Sequence, residues 1–172
     1  YLSATSVYPD MPDGWVDEGT PPNPVTARGK TRLNAEQAWQ EACGAEIFRI
    51  AGIYGPGRNV FKSLYDGSAR IIDKPDHLFN RIHQSDISQI IMAAMHAPER
   101  GRILNLADMH PASQADLFHF AASLAGLTPP EPIPLEQANL SEMGRSFYTA
   151  QRKIRSKILG QTLRYSFTYP DY

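Results

Sequence analysis

Helical and strand patterns alternate along this chain without a hairpin signature between them, and that feature restricts the fold more than any other. Ile47 to Ile53 (IFRIAGI) and Ile103 to Leu106 (ILNL) read as short buried strands. Thr26 to Cys43, Ser85 to Ala97 and Ser113 to Ala125 read as helices. Strands separated by helices pair in parallel, because a parallel neighbour needs a long crossover. The expected class is therefore α/β.

Local signals fill in the remainder. Tyr1 to Tyr8 (YLSATSVY) is β-branched and aromatic and reads as a strand bounded by Pro9. Residues 9–24 hold five prolines and two glycines and read as a surface loop. In the first long helix, Leu33, Ala35, Ala38 and Trp39 supply an apolar stripe, and Gly44 supplies a stop. Val60 to Gly67 is a short helix candidate and Ala69 to Ile72 a strand candidate. Ser85 or Asp86 stands near the start of the next helix, with Asp86 favoured as its cap, and Ser113 caps the one after. Residues 128–136 carry four prolines and read as an extended connector. A short helix over Ser141 to Phe147 and a basic helix over Arg152 to Leu159 complete the chain.

The composition removes several classes of function. Seventeen Lys and Arg against 18 Asp and Glu leave a net charge of -1, which does not suggest a surface for nucleic acid or anionic membrane. No apolar run reaches the ~18 residues of a membrane span. The lone Cys43 rules out a disulfide framework and has no activating partner in sequence. The five histidines (77, 83, 96, 110 and 119) are scattered, so no metal site is expected. The basic residues Arg152, Lys153, Arg155 and Lys157 read as a solvated face, with an anion contact as the minority reading.

Two segments point towards a site. IYGPGRN, Ile53 to Asn59, places a glycine turn and Arg58 directly after a buried strand, at the end where open α/β sheets bind ligands. A guanidinium fork suits phosphate or carboxylate, and a purely structural turn is the equal alternative. FNRIHQSD, Phe79 to Asp86, puts Phe79, Arg81 and His83 on one face of an extended segment. There Arg81 and His83 either face a polar cleft or line a domain junction.

Together these segments resemble the carboxyl-terminal part of the extended short-chain dehydrogenase/reductases, the NAD-dependent epimerase/dehydratase family. The resemblance rests on S-A-T-S-V-Y at 3–8, P-x-T-x-R-G-K-x-R from Pro24 to Arg32 with Glu36 beyond, and F-R-I-A-G-I-Y-G-P-G-R from Phe48 to Arg58. It continues with R-I-H-x-x-D from Arg81 to Asp86, I-L-N-L-A-D from Ile103 to Asp108, and R-K then L-G at 152, 153, 159 and 160. The order and spacing carry it across nearly all 172 residues.

The resemblance implies a partial Rossmann-type parallel sheet with a small C-terminal substrate-side lobe. Residues 1–126 would be the carboxyl-terminal half of an NAD(P)-binding domain with interleaved substrate-side segments, and 127–172 the small lobe. The chain starts at Tyr1 without Met, and the expectation is that the N-terminal cofactor-binding half, with its glycine-rich motif, is missing from it. NAD or NADP would bind the full-length protein, and the isolated chain weakly or not at all. The substrate would be a small or nucleotide-sugar-like molecule, the location cytoplasmic, and a homodimer through the first long helix is the modest expectation.

Carried over residue by residue, the family's Y-x-x-x-K pair falls on Arg28 and Arg32, and its Ser/Thr partner on Ala4. Arginine stays protonated near neutral pH and alanine has no hydroxyl, so the tyrosine relay cannot run from these positions. Thr5, Ser3, Tyr54 and His83 are the weak substitutes for proton handling. The cofactor-side candidates are Ser3, Arg32 and Ala51. The substrate-side candidates are Gly52, Arg58, Arg81 and His83. Arg32 is also well placed to pair with Glu36 on one helix face. The leading expectation is an NAD(P)-dependent oxidoreductase or epimerase/dehydratase-like protein with a non-standard site. The alternative is a catalytically inactive dinucleotide-binding or sensor protein.

Overall fold

The structure is a computed structural model that describes residues 1–74 and 76–172. Its elements run β1 (Leu2–Ala4), a 3-10 turn (Thr5–Val7), β2 (Met11–Val16), α1 (Ala27–Cys43), β3 (Ile47–Ile50) and β4 (Gly52–Tyr54). There follow α2 (Phe61–Tyr65), β5 (Ile71–Asp73), β6 (Leu78–Phe79), β7 (Arg81–His83), α3 (Gln84–His96) and β8 (Ile103–Leu106). The chain closes with β9 (Ala112–Ser113), α4 (Gln114–Ala125), β10 (Pro132–Pro134), α5 (Glu142–Ser146), β11 (Arg152–Ile154) and α6 (Ile158–Gln161).

The central sheet has the order β1-β3-β8, all parallel. Pairs β4–β7, β5–β10 and β2–β11 are parallel too, and β6–β9 is antiparallel. The α/β class with parallel pairing is what the alternating pattern predicts. The apolar run Ile47 to Ile53 is not one strand, however. It divides at Ala51, whose N–H donates to Leu106 O at 2.9 Å, while β4 leaves the central sheet to pair with β7.

Helix α1 begins and ends where its local signals say. Thr26 Oγ1 accepts from Gly29 N, and Gly44 closes it in the left-handed region at φ +63°. Its packing differs from the expected stripe. Trp39 is 51% exposed and Ala38 is exposed, whereas Gly29 and Glu36 are the buried positions. At Gly29 a Cβ would come within 2.6 Å of Ser6 O, so the helix approaches the turn after β1 closer than a side chain permits. Glu36 points inward because Arg49 waits there on β3. Its Nη2 lies 2.7 Å from Glu36 Oε2, both side chains are almost wholly buried, and Ser3 on β1 donates its hydroxyl to the same carboxylate. The Arg32–Glu36 pair expected from spacing therefore does not form.

Two further expectations give way. The loop assigned to 9–24 contains β2, and the basic helix assigned to 152–159 contains β11, its partner. The ladder joins Met11 to Arg152, then skips to Trp15 and Lys153, so the register shift absorbs Pro12, which has no N–H to offer. Arg155 and Lys157 are exposed, as a solvated face requires, whereas Arg152 and Lys153 are half-buried, and all four take specific partners. Arg152 donates to Thr5 O, Lys153 lies 5.6 Å from the centroid of the Trp15 ring, and Arg155 and Lys157 both meet Asp17. The proline-rich connector is extended, as expected, and contributes β10.

The main core gathers Val7, Phe48, Ile82, Leu104, Leu106, Ile154 and Leu159. Residues beyond 126 thus share the core of the central sheet. Two smaller clusters, one around Ile71 and Phe118 and one around Ile72, Ala138 and Tyr148, lie apart from it. Among the described residues no helix is long and apolar enough to cross a membrane. Removing one partner of the buried pair leaves the other charge stranded. Glu36→Ala should lower unfolding free energy by about 3–5 kcal/mol in a denaturant titration, and the paired Glu36→Leu/Arg49→Met variant should recover much of that loss.

Candidate functional site

The expected site residues fall into two groups. The first surrounds the carboxyl end of β1. Ser3 is buried with its hydroxyl engaged by Glu36, Ala4 ends the strand, and Thr5 opens the 3-10 turn with its carbonyl accepting from Arg152. Across from them on α1, Arg28 is exposed, and Arg32 is half-buried with Nη1 donating to Leu2 O at 3.4 Å. One helical turn apart, the two arginines share a face beside β1. Behind them the Arg49 guanidinium lies 4.7 Å from the centroid of the Tyr8 ring, and Tyr8 donates its hydroxyl to Asn105 Oδ1 at 2.8 Å. Burial pushes the Tyr8 phenol up from its ordinary pKa.

The second group lies past Ala51, at the ends of β4 and β7. The glycine turn after β4 is closed by reciprocal backbone bonds, Gly55 N to Arg58 O at 3.0 Å and Arg58 N to Gly55 O at 2.9 Å. Gly55 sits at φ +145°, and a Cβ there would meet Gln84 Cγ at 2.8 Å, so this turn needs its glycine. Here a cleft of about 650 Å³ opens, within the range of small-molecule sites. Gly52, Tyr54, Arg58 and Arg81 line it together, and α4 forms a facing wall through Leu117, Phe118, Phe120 and Leu124.

Arg81 enters the cleft with its fork already engaged. Nη1 donates to Phe79 O at 3.2 Å and Ala112 O at 3.1 Å, and Nη2 to Ser113 O at 3.4 Å. His83 is not among the lining residues. Its ring sits 3.7 Å from that of Tyr169 and 5.2 Å from that of Tyr54, and its Nδ1 accepts from Ser85 N to cap α3. The cap is thus His83, and Asp86 has another task. Its fully buried carboxylate accepts from Tyr165 Oη at 2.6 Å, Thr168 N at 2.8 Å and Tyr169 N at 3.1 Å, fastening residues 165–169 over α3.

Residue-level reasoning from sequence overlooked Asp108. It stands just past β8, its N–H donates to Arg81 O at 2.7 Å, and its Oδ1 accepts from His110 N at 3.1 Å. Its Oδ2 is buried with no partner among the described residues. Burial pushes this carboxyl up to about 7, overriding the backbone bond from His110 and the nearby Arg81 charge. The signal available in sequence was a carboxylate two residues beyond a buried four-residue strand. Tyr54 donates to Asp171 O at 2.7 Å, and burial, with the Asp108, Asp86 and Asp171 charges behind it, pushes the phenol up to about 12. Tyr54 therefore stays protonated near neutral pH, a donor and not a base. Asp108 changes protonation near pH 7, although it does not line the cleft.

No family model matches the chain. It is 34% identical over 134 residues to Protein YeeZ of Escherichia coli K12, across 76% of this chain and 47% of that protein. The chain thus spans about half the length of the curated relative it matches. A conserved protein of unknown function from Silicibacter pomeroyi superposes over the whole chain and 62% of its own, with TM-score 0.95 and 42% identity. A protein of Methylobacillus flagellatus, provisionally described as an NAD-dependent epimerase/dehydratase, superposes over 99% of this chain and 59% of its own, with TM-score 0.70 and 28% identity. MoeE5, solved with UDP-glucuronic acid and NAD, shares the fold with TM-score 0.78 and 21% identity, over 98% of this chain and 58% of its own. The chain shares the fold of these solved structures.

The Asp108 carboxyl yields a pH prediction. Below about pH 4 it is protonated in folded and unfolded chains alike, so nothing is lost. As pH rises towards 7 the unfolded chain ionises first and the folded state loses relative stability, and above about 7 the loss stays constant. Asp108→Asn should remove this loss. Urea titrations should show the variant gaining on the parent between pH 4 and 7, by on the order of 3–4 kcal/mol at most, with no further gain above 7.

Proposed function

We propose that the full-length protein is an NAD(P)-dependent oxidoreductase or epimerase/dehydratase-like enzyme with a non-standard catalytic site, and that its small or nucleotide-sugar-like substrate lies in the cleft between β4 and α4. The observation that carries this reading is the convergence of Gly52, Tyr54, Arg58 and Arg81 on one cleft beyond the carboxyl ends of β4 and β7. Ligands of open α/β sheets collect at such ends.

The residues beside β1 suit a dinucleotide in part. The Arg32 guanidinium makes one long contact, to Leu2 O, and leaves most of its five donors available for ribose hydroxyls or phosphate oxygens. Ala51, at the joint of β3 and β4, is buried in the main core and is a weaker candidate for cofactor contact. Ser3 is the poorer candidate, because its hydroxyl already serves Glu36. A nicotinamide cofactor, when bound, supplies hydride transfer. Arg28 stands where the related enzymes' tyrosine would be and supplies no proton, so any proton step falls to another group.

That same Arg28 favours the second reading, a dinucleotide-binding or sensor protein without turnover. Calorimetric titration of the full-length protein with NAD+ and NADP+ tests both. Saturable binding of one cofactor is expected, and Arg32→Ala should weaken it about ten-fold. Absence of binding by either cofactor would overturn both readings. A spectrophotometric redox screen, with product analysis for epimerisation, then separates enzyme from sensor.

A further inference from the structure

The cleft is far less polar than its list of polar residues suggests. Asn80 is engaged at both ends of its amide, Nδ2 on Arg152 O and Oδ1 on Ile154 N. Gln114 Oε1 accepts from Ile72 N and from the Tyr148 hydroxyl. Asn59 bonds Gly55 O and Phe61 N. The Arg81 fork is held by three carbonyls, with Phe79 and Tyr172 rings near its faces. These contacts direct much of the wall's polar capacity to the protein itself.

What faces the space is apolar and largely aromatic. Phe61, Phe118, Phe120, Phe147, Tyr148 and Tyr172 surround it. Phe120 is 46% exposed, Phe147 57% and Leu124 66%, although all three line one concavity. Apolar surface gathered in a concavity, unlike isolated surface side chains, marks a binding site. One cation of the lining remains unengaged. Arg58 is exposed at the glycine turn, and its side chain makes no hydrogen bond or ion pair among the described residues.

We propose that the cleft takes a small molecule built on an apolar ring system with a single anionic group, the rings packed between β4 and α4 and the anion on Arg58. The proposal rests on the reading of this cleft as the substrate site and narrows it, away from a sugar diphosphate. A diphosphate needs several donors converging on two phosphates, and both terminal nitrogens of Arg81 already donate to carbonyls. A hydroxyl-rich sugar would also lack partners along the aromatic wall, where each unpaired polar group carries a desolvation cost. Flat rings gain from stacking and edge contacts with these side chains.

Calorimetry with 2-naphthoate, its neutral analogue 2-naphthamide and UDP-glucose tests this on the protein without added cofactor. One equivalent of 2-naphthoate should bind, and UDP-glucose should neither bind measurably nor compete. Arg58→Gln should weaken 2-naphthoate about ten-fold while leaving 2-naphthamide within about two-fold. Leu124→Glu, at an exposed helix position that tolerates charge, should weaken both naphthalenes about ten-fold or more, and Phe120→Ser should do so without adding a charge. Binding of UDP-glucose in place of 2-naphthoate would overturn the proposal. So would equal losses of both naphthalenes in Arg58→Gln, or binding indifferent to both α4 variants. A concentration-dependent dimer that excludes 2-naphthoate and is dissolved by Leu124→Glu would also overturn it, by making the wall a self-interface. Cofactor titration is separate, so 2-naphthoate binding without NAD(P) binding sinks both dinucleotide readings and leaves the ligand proposed for the cleft standing.

Discussion

A carboxylate and a guanidinium sealed between a helix and a sheet hold this molecule in its arrangement. Arg49 lies on a strand of four buried residues, and Glu36 is the buried polar position on α1. Neither charge tolerates such surroundings alone, and removal from water costs each of them several kcal/mol. Their pairing, with the Ser3 hydroxyl, makes one rotation of α1 about its axis compatible with the core. That rotation turns Arg28 and Arg32 to the flank beside β1 and leaves Trp39 in solvent. The pair contributes less to net stability than to specifying which face of the helix meets the sheet.

Much of the architecture was legible because its signals are local. Thr26 and Gly44 delimit α1, Ser113 caps α4, and the apolar runs mark β3 and β8, each through chemistry confined to a few neighbours. The failures share the opposite cause. The β2–β11 ladder joins segments about 140 residues apart, with prolines masking one and charges the other. Glu36 was expected to meet Arg32 one turn away, yet its partner comes from another strand. Asp86 looked like a cap because it opens a helix, but residues 165–169 claim its oxygens.

The site was legible in its membership more than in its roles. The glycine turn and the R-I-H segment do bring Arg58 and Arg81 to one cleft. Spacing could not show that carbonyls occupy the Arg81 fork, nor that His83 caps a helix from behind the wall. Asp108 escaped residue-level notice because burial of one carboxyl oxygen depends on everything that folds around it.

The separation of the core into three clusters has a consequence for how such a protein changes over generations. The cleft wall draws on Phe118, Phe79 and Tyr148, which pack within the two minor clusters, whereas the central sheet rests on the major one. Substitutions at distant, independently packed sites add with little coupling. A lineage can therefore reshape the wall towards a new ligand while the sheet, the α1 attachment and the buried ion pair keep their packing. That freedom ends at the β4–β7 pair, because Ala51, Ile53 and Ile82 pack with the major cluster.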